Sequence, residues 1–144
     1  MKTLLSVILG LLVLGTVFGG IQAMEAEAPI VVEQAFAEKY PRESKPDWRQ
    51  DKNGNYEAHF KKDGVHYRAD FTPDGSWIET ESNVDKSDLP KAIKKVLSKK
   101  YDDYKIVEIE LVSHNSKGEF YDVELKKSGK KQDIEFREDG SFLN

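Results

Sequence analysis

The sequence contains no cysteine among its 144 residues. This absence excludes a disulfide framework, a thiolate nucleophile, a zinc–thiolate site and a cysteine to which a lipid could be attached. No other motif indicates a bound group. We therefore expect no cofactor.

The sequence also lacks an excess of positive charge. It has 22 Lys and Arg residues against 26 Asp and Glu residues, for a net charge of −4. Nucleic-acid binding needs a basic face that neutralises phosphates, whereas the lysines here are interleaved with carboxylates. Nucleic acid is therefore not an expected partner.

A long apolar run occurs only near the start of the sequence. Leu4 to Phe18 follow the basic start at Lys2, and small residues follow up to Ala23. This pattern predicts a signal peptide at residues 1–23, cleaved after Ala23. A retained membrane anchor is the alternative, but the run is short for a hydrocarbon core of about 30 Å. Export without disulfides indicates a bacterial periplasmic or secreted protein, with no stable membrane anchor after cleavage.

The sequence offers few groups for catalysis. Without cysteine, a nucleophile would be a serine or threonine activated by His59, His66 or His114, and none lies in a Gly-x-Ser-x-Gly context. No spacing among the 26 carboxylates singles out a pair for acid–base work. We therefore expect no catalytic residues and no enzymatic activity.

Two segments of the sequence are nearly the same, FTPDGSW at 71–77 and FREDGSF at 136–142. At this spacing of 65 residues, Tyr56, Phe60 and Gly64 also match Tyr121, Leu125 and Gly129. Further upstream, Val32, Phe36 and Tyr40 match Ile93, Leu97 and Tyr101 at a spacing of 61. The pattern predicts one domain at residues 24–144 made of two repeats, about 30–84 and 85–144.

Each repeat begins with a helical pattern. Val32 and Phe36 lie one turn apart before Pro41, which ends the first helix. The second apolar stripe includes Ile93 and Leu97 and follows Pro90, with Ser87 or Asp88 as the predicted cap. A helix therefore opens each repeat.

After each helix the apolar period changes from 3.6 to 2, which predicts half-buried strands. Asp63-Gly64 and Ser128-Gly129 are typical of two-residue hairpin turns, and Asp74-Gly75 and Asp139-Gly140 of further tight turns. Additional strands are expected near Trp48 and from Tyr104 to Ser113. We therefore predict an α+β fold in which two copies of a helix plus antiparallel sheet join into one sheet, with both helices on one face.

The two hairpin turns predict which charged residues meet on the open face of the sheet. In the first hairpin Lys61 should face His66, His59 should face Arg68 and Glu57 should face Asp70. In the second, Lys126 should face Lys131, Glu124 should face Asp133 and Asp122 should face Glu135. His59 and His66 become diagonal neighbours, but flanking positive charge argues against a metal site.

Like charges oppose each other in the second hairpin, which destabilises it unless solvent or a partner compensates. We name Asp122, Glu124, Asp133 and Glu135 the acidic strip. One interpretation is that these charges keep open sheets from stacking. The other is a docking surface for a basic protein patch or an extended peptide. The partner-binding candidates are Trp48, His59, Arg68, Asp122, Glu124, Asp133 and Glu135.

Several core and turn motifs are shared with a known family. They are Lys39-Tyr40-Pro41, Trp48, Tyr56-x-Ala58-x-Phe60, Gly64, Ala69-x-Phe71, Asp74-Gly75-x-Trp77, Thr80 and Leu89-Pro90. From about Val32 to the C-terminus the chain resembles the bacterial PepSY-like, or β-lactamase-inhibitor-like, proteins. The resemblance implies tandem helix-plus-sheet repeats exported to the periplasm, with a concave sheet presented to a partner enzyme. Its motifs assign no catalytic or binding residue.

These observations together predict a non-enzymatic binding module in the cell envelope. Its expected partner is a protein or peptide, and an envelope enzyme such as a peptidase is one candidate that it could bind or inhibit through the open sheet face. The alternative is a periplasmic protein that binds a small ligand or a cation through the acidic strip.

Overall fold

The structure is a computed structural model that describes residues 24–143. The predicted signal peptide at residues 1–23 lies outside the described residues. The described part of the chain is α+β, with one eight-stranded antiparallel sheet whose strands follow sequence order. The strands are β1 (Met24–Glu25), β2 (Asp47–Gln50), β3 (Tyr56–Lys62), β4 (Val65–Phe71), β5 (Trp77–Asn83), β6 (Lys105–His114), β7 (Gly118–Lys127) and β8 (Lys130–Phe136). The helices are α1 (Ile30–Lys39) and α2 (Lys91–Lys100).

Both helices form where the apolar period predicts them. Val32 and Phe36 are the buried residues of α1, and Ile93 and Leu97 are those of α2. The predicted cap of α2 is wrong, because the helix begins only after Pro90 and has no side-chain cap. The fixed φ of proline suits a helix start, and this explains the later beginning.

The core consists of two apolar clusters on the helix-covered face of the sheet. One joins α1 to the first hairpin through Val32, Phe36, Ala58, Ala69 and Phe71. The other joins α2 to the later strands through Leu89, Ile93, Leu97, Ile109, Val123, Leu125 and Phe136. Pairing of β5 with β6 links the two halves into one sheet, as predicted.

The hairpin turns have the backbone geometry predicted from their residues. Asp63 and Gly64 have φ of 51° and 82°, and Ser128 and Gly129 have φ of 50° and 82°. Two consecutive positive φ angles are what a two-residue hairpin turn requires, and they set the pairing of β3 with β4 and of β7 with β8. The two strands predicted near Trp48 and before Ser113 correspond to β2 and β6.

Candidate binding surface

The face of the sheet opposite the helices, which we call the open face, is built from alternate residues of β2 to β8. Directly paired residues in an antiparallel sheet point to the same face, so the pairing identifies its members. All three predicted pairs of the first hairpin form, and so do all three of the second. The predicted opposition of Glu124 with Asp133 and of Asp122 with Glu135 is therefore confirmed.

The strands β5 and β6 add carboxylates that sequence reasoning missed. Glu79 pairs with Asp70 and Glu81 with Arg68 across β4 and β5, and Glu110 pairs with Asp122 across β6 and β7. Because these pairs share the open face, five carboxylates gather in the middle of the sheet. We call them the acidic centre: Asp70, Glu79, Glu81, Glu110 and Asp122. The sequence does show a signal for these carboxylates, because Glu79 alternates with Glu81 and Glu108 with Glu110, and alternate residues of a strand share one face.

Arg68 is held by three members of the acidic centre. Its Nη2 lies 2.6 Å from Oε1 of Glu81, and its Nε donates to Oδ1 of Asp70 at 3.2 Å. The same Nη2 lies 3.9 Å from a carboxylate oxygen of Glu79. One guanidinium thus faces three carboxylates, whereas Glu110 and Asp122 have no ion pair among the described residues.

Burial and mutual repulsion raise the pKa of four carboxyl groups of the acidic centre, Asp70, Glu81, Glu110 and Asp122. Burial raises the pKa of Glu81 to about 8 and that of Asp70 to about 7, although Arg68 opposes both shifts. Burial and the charges of Asp133 and Glu135 raise the pKa of Asp122 to about 6. Burial also raises the pKa of Glu110. The acidic centre therefore carries protons near neutral pH, and its charge depends on pH.

Two carboxylate oxygens of the acidic centre are buried without a hydrogen-bond partner, Oε2 of Glu81 and Oδ1 of Asp122. Glu81 is only 8% exposed, which makes it the one buried charged residue of the described chain. A buried oxygen without a donor is costly, so these atoms favour either a proton or an incoming donor.

An apolar pair lies beside the acidic centre on the open face. Val112 pairs with Phe120 between β6 and β7, and the two residues are 1% and 3% exposed. Neither belongs to the two clusters beneath the helices, so they form a separate apolar floor on the open face. The ammonium group of Lys117 lies 5.2 Å from the ring centre of Phe120. The open face thus combines buried apolar surface with negative charge.

The other predicted open-face residues lie where the pairing places them. His59 contacts Glu57 through Nε2 at 3.0 Å. Glu124 pairs with Lys131 at 2.8 Å and Glu135 with Lys117 at 2.9 Å, while Asp133 is exposed. Two of the four carboxylates in the acidic strip are thus partly neutralised by lysines of this chain.

Trp48 lies apart from the remaining candidates. It pairs with Ala58 and therefore points to the helix-covered face, where its ring lies 5.7 Å from that of Phe36 and 6.3 Å from that of Phe71. Trp77 also packs against this cluster. Because Trp48 is on the opposite face from Arg68 and the acidic strip, it belongs to no common surface with them.

A cavity of about 970 Å³ lies at one end of the sheet between the tip of the first hairpin and the start of β6. His66, Asp85, Tyr104 and Glu108 are among its lining residues, and no member of the acidic centre lines it. The acidic centre therefore lies outside this cavity.

Neither a metal cluster nor a membrane-spanning helix is found between residues 24 and 143. No group of three or more histidine, aspartate or glutamate side chains there is placed to hold a metal ion. None of the helices in that range is long and apolar enough to cross a membrane.

The eight-stranded sheet with both helices on one face and an open polar face defines an inhibitor-like class of α+β protein. The chain belongs to the family described as "Putative beta-lactamase-inhibitor-like, PepSY-like", whose model matches residues 54–144. This confirms the resemblance seen in the sequence. No curated protein matches the chain.

Solved structures with the same fold come from Bacteroides. A protein of Bacteroides eggerthii described as a putative periplasmic protein has a TM-score of 0.73 and 24% identity, covering 83% of this chain and 88% of its own. A BLIP-like protein of Bacteroides fragilis has a TM-score of 0.70 and 22% identity, covering 83% and 85%. A DUF2874 family protein of Bacteroides ovatus has a TM-score of 0.72 and 20% identity, covering 83% and 86%.

Proposed function

We propose that this protein is an exported, non-enzymatic binding module that captures a basic patch or basic segment of another envelope protein on its open face. The observation that carries the proposal is the acidic centre, in which Arg68 contacts only three of the five carboxylates and two buried oxygens lack a donor. Like charges held together in a folded protein are destabilising unless a partner or a proton offsets them.

A protein partner suits this surface better than a small ligand. The acidic centre does not line the cavity of about 970 Å³, and small molecules usually bind in concave pockets. The carboxylates of the acidic centre and the acidic strip give the open face the negative charge that would attract and orient a basic partner. Membership of an inhibitor-like family makes an envelope enzyme, such as a peptidase, the partner to test first.

The same proposal includes the organisation of the chain into two copies of one unit. Each helix is ten residues long, and the hairpins carry the same turn geometry at Gly64 and Gly129. Gly75 and Gly140 also match, since a Cβ on either would lie about 3 Å from the backbone of the neighbouring helix, at Val31 and Ala92 respectively. These matches support repeats at about 30–84 and 85–144 of one domain.

Export is the part of the proposal on which the choice of partner depends. The predicted cleavage after Ala23 would leave a chain that begins at Met24. Mass spectrometry of the protein recovered from its native host should show this N-terminus. Recovery of intact Met1 in the membrane fraction would contradict export.

The test of binding compares two doubly neutralised variants. Glu124→Gln with Asp133→Asn removes charge from the open face, whereas Glu33→Gln with Glu38→Gln removes the same charge from exposed positions of α1. Each variant and the wild type serve as bait for an envelope extract at low and high salt. We expect the open-face variant to capture less partner at low salt, because electrostatic attraction and steering are reduced.

The α1 variant should capture as much partner as the wild type. Equal capture by all three proteins at low salt would contradict docking on the open face. It would favour the other interpretation, in which these charges keep open sheets from stacking. Calorimetric titration with calcium tests the cation-binding alternative. Heat of binding in the wild type but not in the open-face variant would support that alternative.

A further inference from the structure

The acidic centre is left short of positive charge by this chain. Arg68 faces Asp70, Glu79 and Glu81, and no ion pair within residues 24–143 reaches Glu110 or Asp122. His114 approaches the cluster only at 4.0 Å from Glu79. A group of five carboxylates with one guanidinium therefore has capacity for further positive charge.

The unpartnered oxygen of Glu81 shows where such a charge would act. The residue is more than nine-tenths buried, and its Oε1 accepts from Arg68 while its Oε2 has no donor. Glu110 lies on the adjacent strand β6, and its charge adds to the burial that raises the pKa of Glu81. A buried carboxylate oxygen without a donor favours either a proton or an incoming donor.

We propose that the acidic centre is a binding site for a guanidinium group on an arginine side chain of the partner, and that the arriving guanidinium displaces a proton from Glu81. This inference rests on the proposed function, because it names the group by which a basic partner is recognised. The proton leaves to solvent, and no covalent bond changes.

A guanidinium fits the site better than a metal ion or an ammonium group. No described group of three or more ligating side chains is placed to hold a metal. Arg68 shows that a guanidinium is accommodated here, with separate nitrogens directed at Asp70 and Glu81. A guanidinium is planar, presents several donors in a fixed fork and is more weakly hydrated than an ammonium, which suits partly buried carboxylates.

The proton linkage follows from the groups that surround Glu81. Charged groups on strands β3 to β8 face Glu81 or its neighbours on the open face. These groups are Glu57 and His59 on β3, Arg68 and Asp70 on β4, Glu79 on β5, Glu108, Glu110 and His114 on β6, Asp122 and Glu124 on β7, and Asp133 and Glu135 on β8. Most are acidic, and together with burial they raise the pKa of Glu81 to about 8. Since a guanidinium binds the ionised site, its affinity should increase as the pH rises towards 8.

The experiment uses N-acetyl-L-arginine amide as the probe and the neutral isostere N-acetyl-L-citrulline amide as its control. The protein is produced with its own N-terminal segment and purified in the form that the cell makes. Each probe is titrated at low ionic strength at pH 6, 7 and 8, and backbone amide shifts are followed by NMR. We expect saturable shifts around Glu81, Glu110 and Asp122 with the arginine probe alone.

The apparent Kd of the arginine probe should fall at least about fivefold from pH 6 to pH 8, because one proton is displaced per probe bound. Glu81→Gln should weaken binding and remove this pH dependence, whereas Glu33→Gln on α1 should leave both unchanged. Equal shifts with citrulline, a Kd independent of pH, or an unchanged pH dependence in Glu81→Gln would each overturn the proposal.

Failure of this site and failure of the proposed function give different results. If the arginine probe binds as expected but the variant of Glu124 and Asp133 captures as much envelope partner as the wild type, the site stands and docking on the open face fails. If capture depends on those charges but the probe shows no saturable binding, docking stands and the guanidinium site is wrong.

Discussion

Replacing Glu81 with glutamine tests the electrostatics of the acidic centre directly. The pKa of Glu81 is raised from 4.5 to about 8 in the folded protein, mainly by burial. The folded state therefore binds a proton that the unfolded state has lost over this pH range. The stability from that proton is fully present below about pH 4.5 and is lost as the pH rises through about 8. Glutamine resembles the protonated glutamate at every pH and avoids this loss.

The size of the effect follows from the shift. Each pKa unit corresponds to about 1.4 kcal/mol. The shift of the Glu81 pKa therefore sets an upper limit of about 4 to 5 kcal/mol on the stability that the protein loses when Glu81 ionises. The ion pair with Arg68 at 2.6 Å reduces the cost of ionisation. Effective dielectric screening reduces it further. We expect Glu81→Gln to gain about 1 to 2 kcal/mol relative to wild type between pH 5 and pH 9.

Urea unfolding followed by tryptophan fluorescence measures this difference, because Trp48 and Trp77 both pack against the α1 cluster. Wild type, Glu81→Gln and Glu38→Gln are compared at each pH from 5 to 9. Glu38 is exposed on α1, so its variant should differ from wild type by less than about 0.5 kcal/mol throughout. A constant or shrinking gain for Glu81→Gln as the pH rises would refute the raised proton affinity.

Further predictions concern the turns and the core. Gly129→Ala should cost about 1 to 2 kcal/mol, because Gly129 has φ of 82° but open space around it. Gly140→Ala should cost more, since its Cβ would also lie 3.1 Å from the backbone of Ala92; equal urea midpoints for the two variants would contradict this close approach. Phe36→Ala should cost about 3 to 5 kcal/mol in the same assay, because the ring is 3% exposed. Val31→Ala, at a position 42% exposed, should cost less than about 1 kcal/mol, and comparable losses in both variants would contradict the packing of α1.

Local features of the sequence predicted the helices and the two hairpins. Val32 with Phe36 and Ile93 with Leu97 mark the helix faces, since residues one turn apart share a side. The turns at Gly64 and Gly129 set the hairpin register, because a two-residue turn with positive φ leaves only one pairing of the flanking strands.

The position of Trp48 needed the tertiary structure. The sequence predicted a strand near this residue and made Trp48 a partner-binding candidate together with residues of the open face. Pairing with Ala58 turns the indole towards α1, where it contacts Phe36 and Phe71. A short strand of four residues carries too little alternation to show which of its sides faces the core.

The acidic strip on β7 and β8 was predicted from the sequence because both strands belong to one hairpin. The acidic centre was not, because Glu81 and Glu110 meet only where β5 pairs with β6, with α2 between them in the chain. Local turn chemistry sets the register inside a hairpin, but the pairing of distant strands is chosen by the burial of the two apolar clusters under their helices. The sequence alone thus determined the parts of the sheet, and only the tertiary structure decided which carboxylates gather around Arg68.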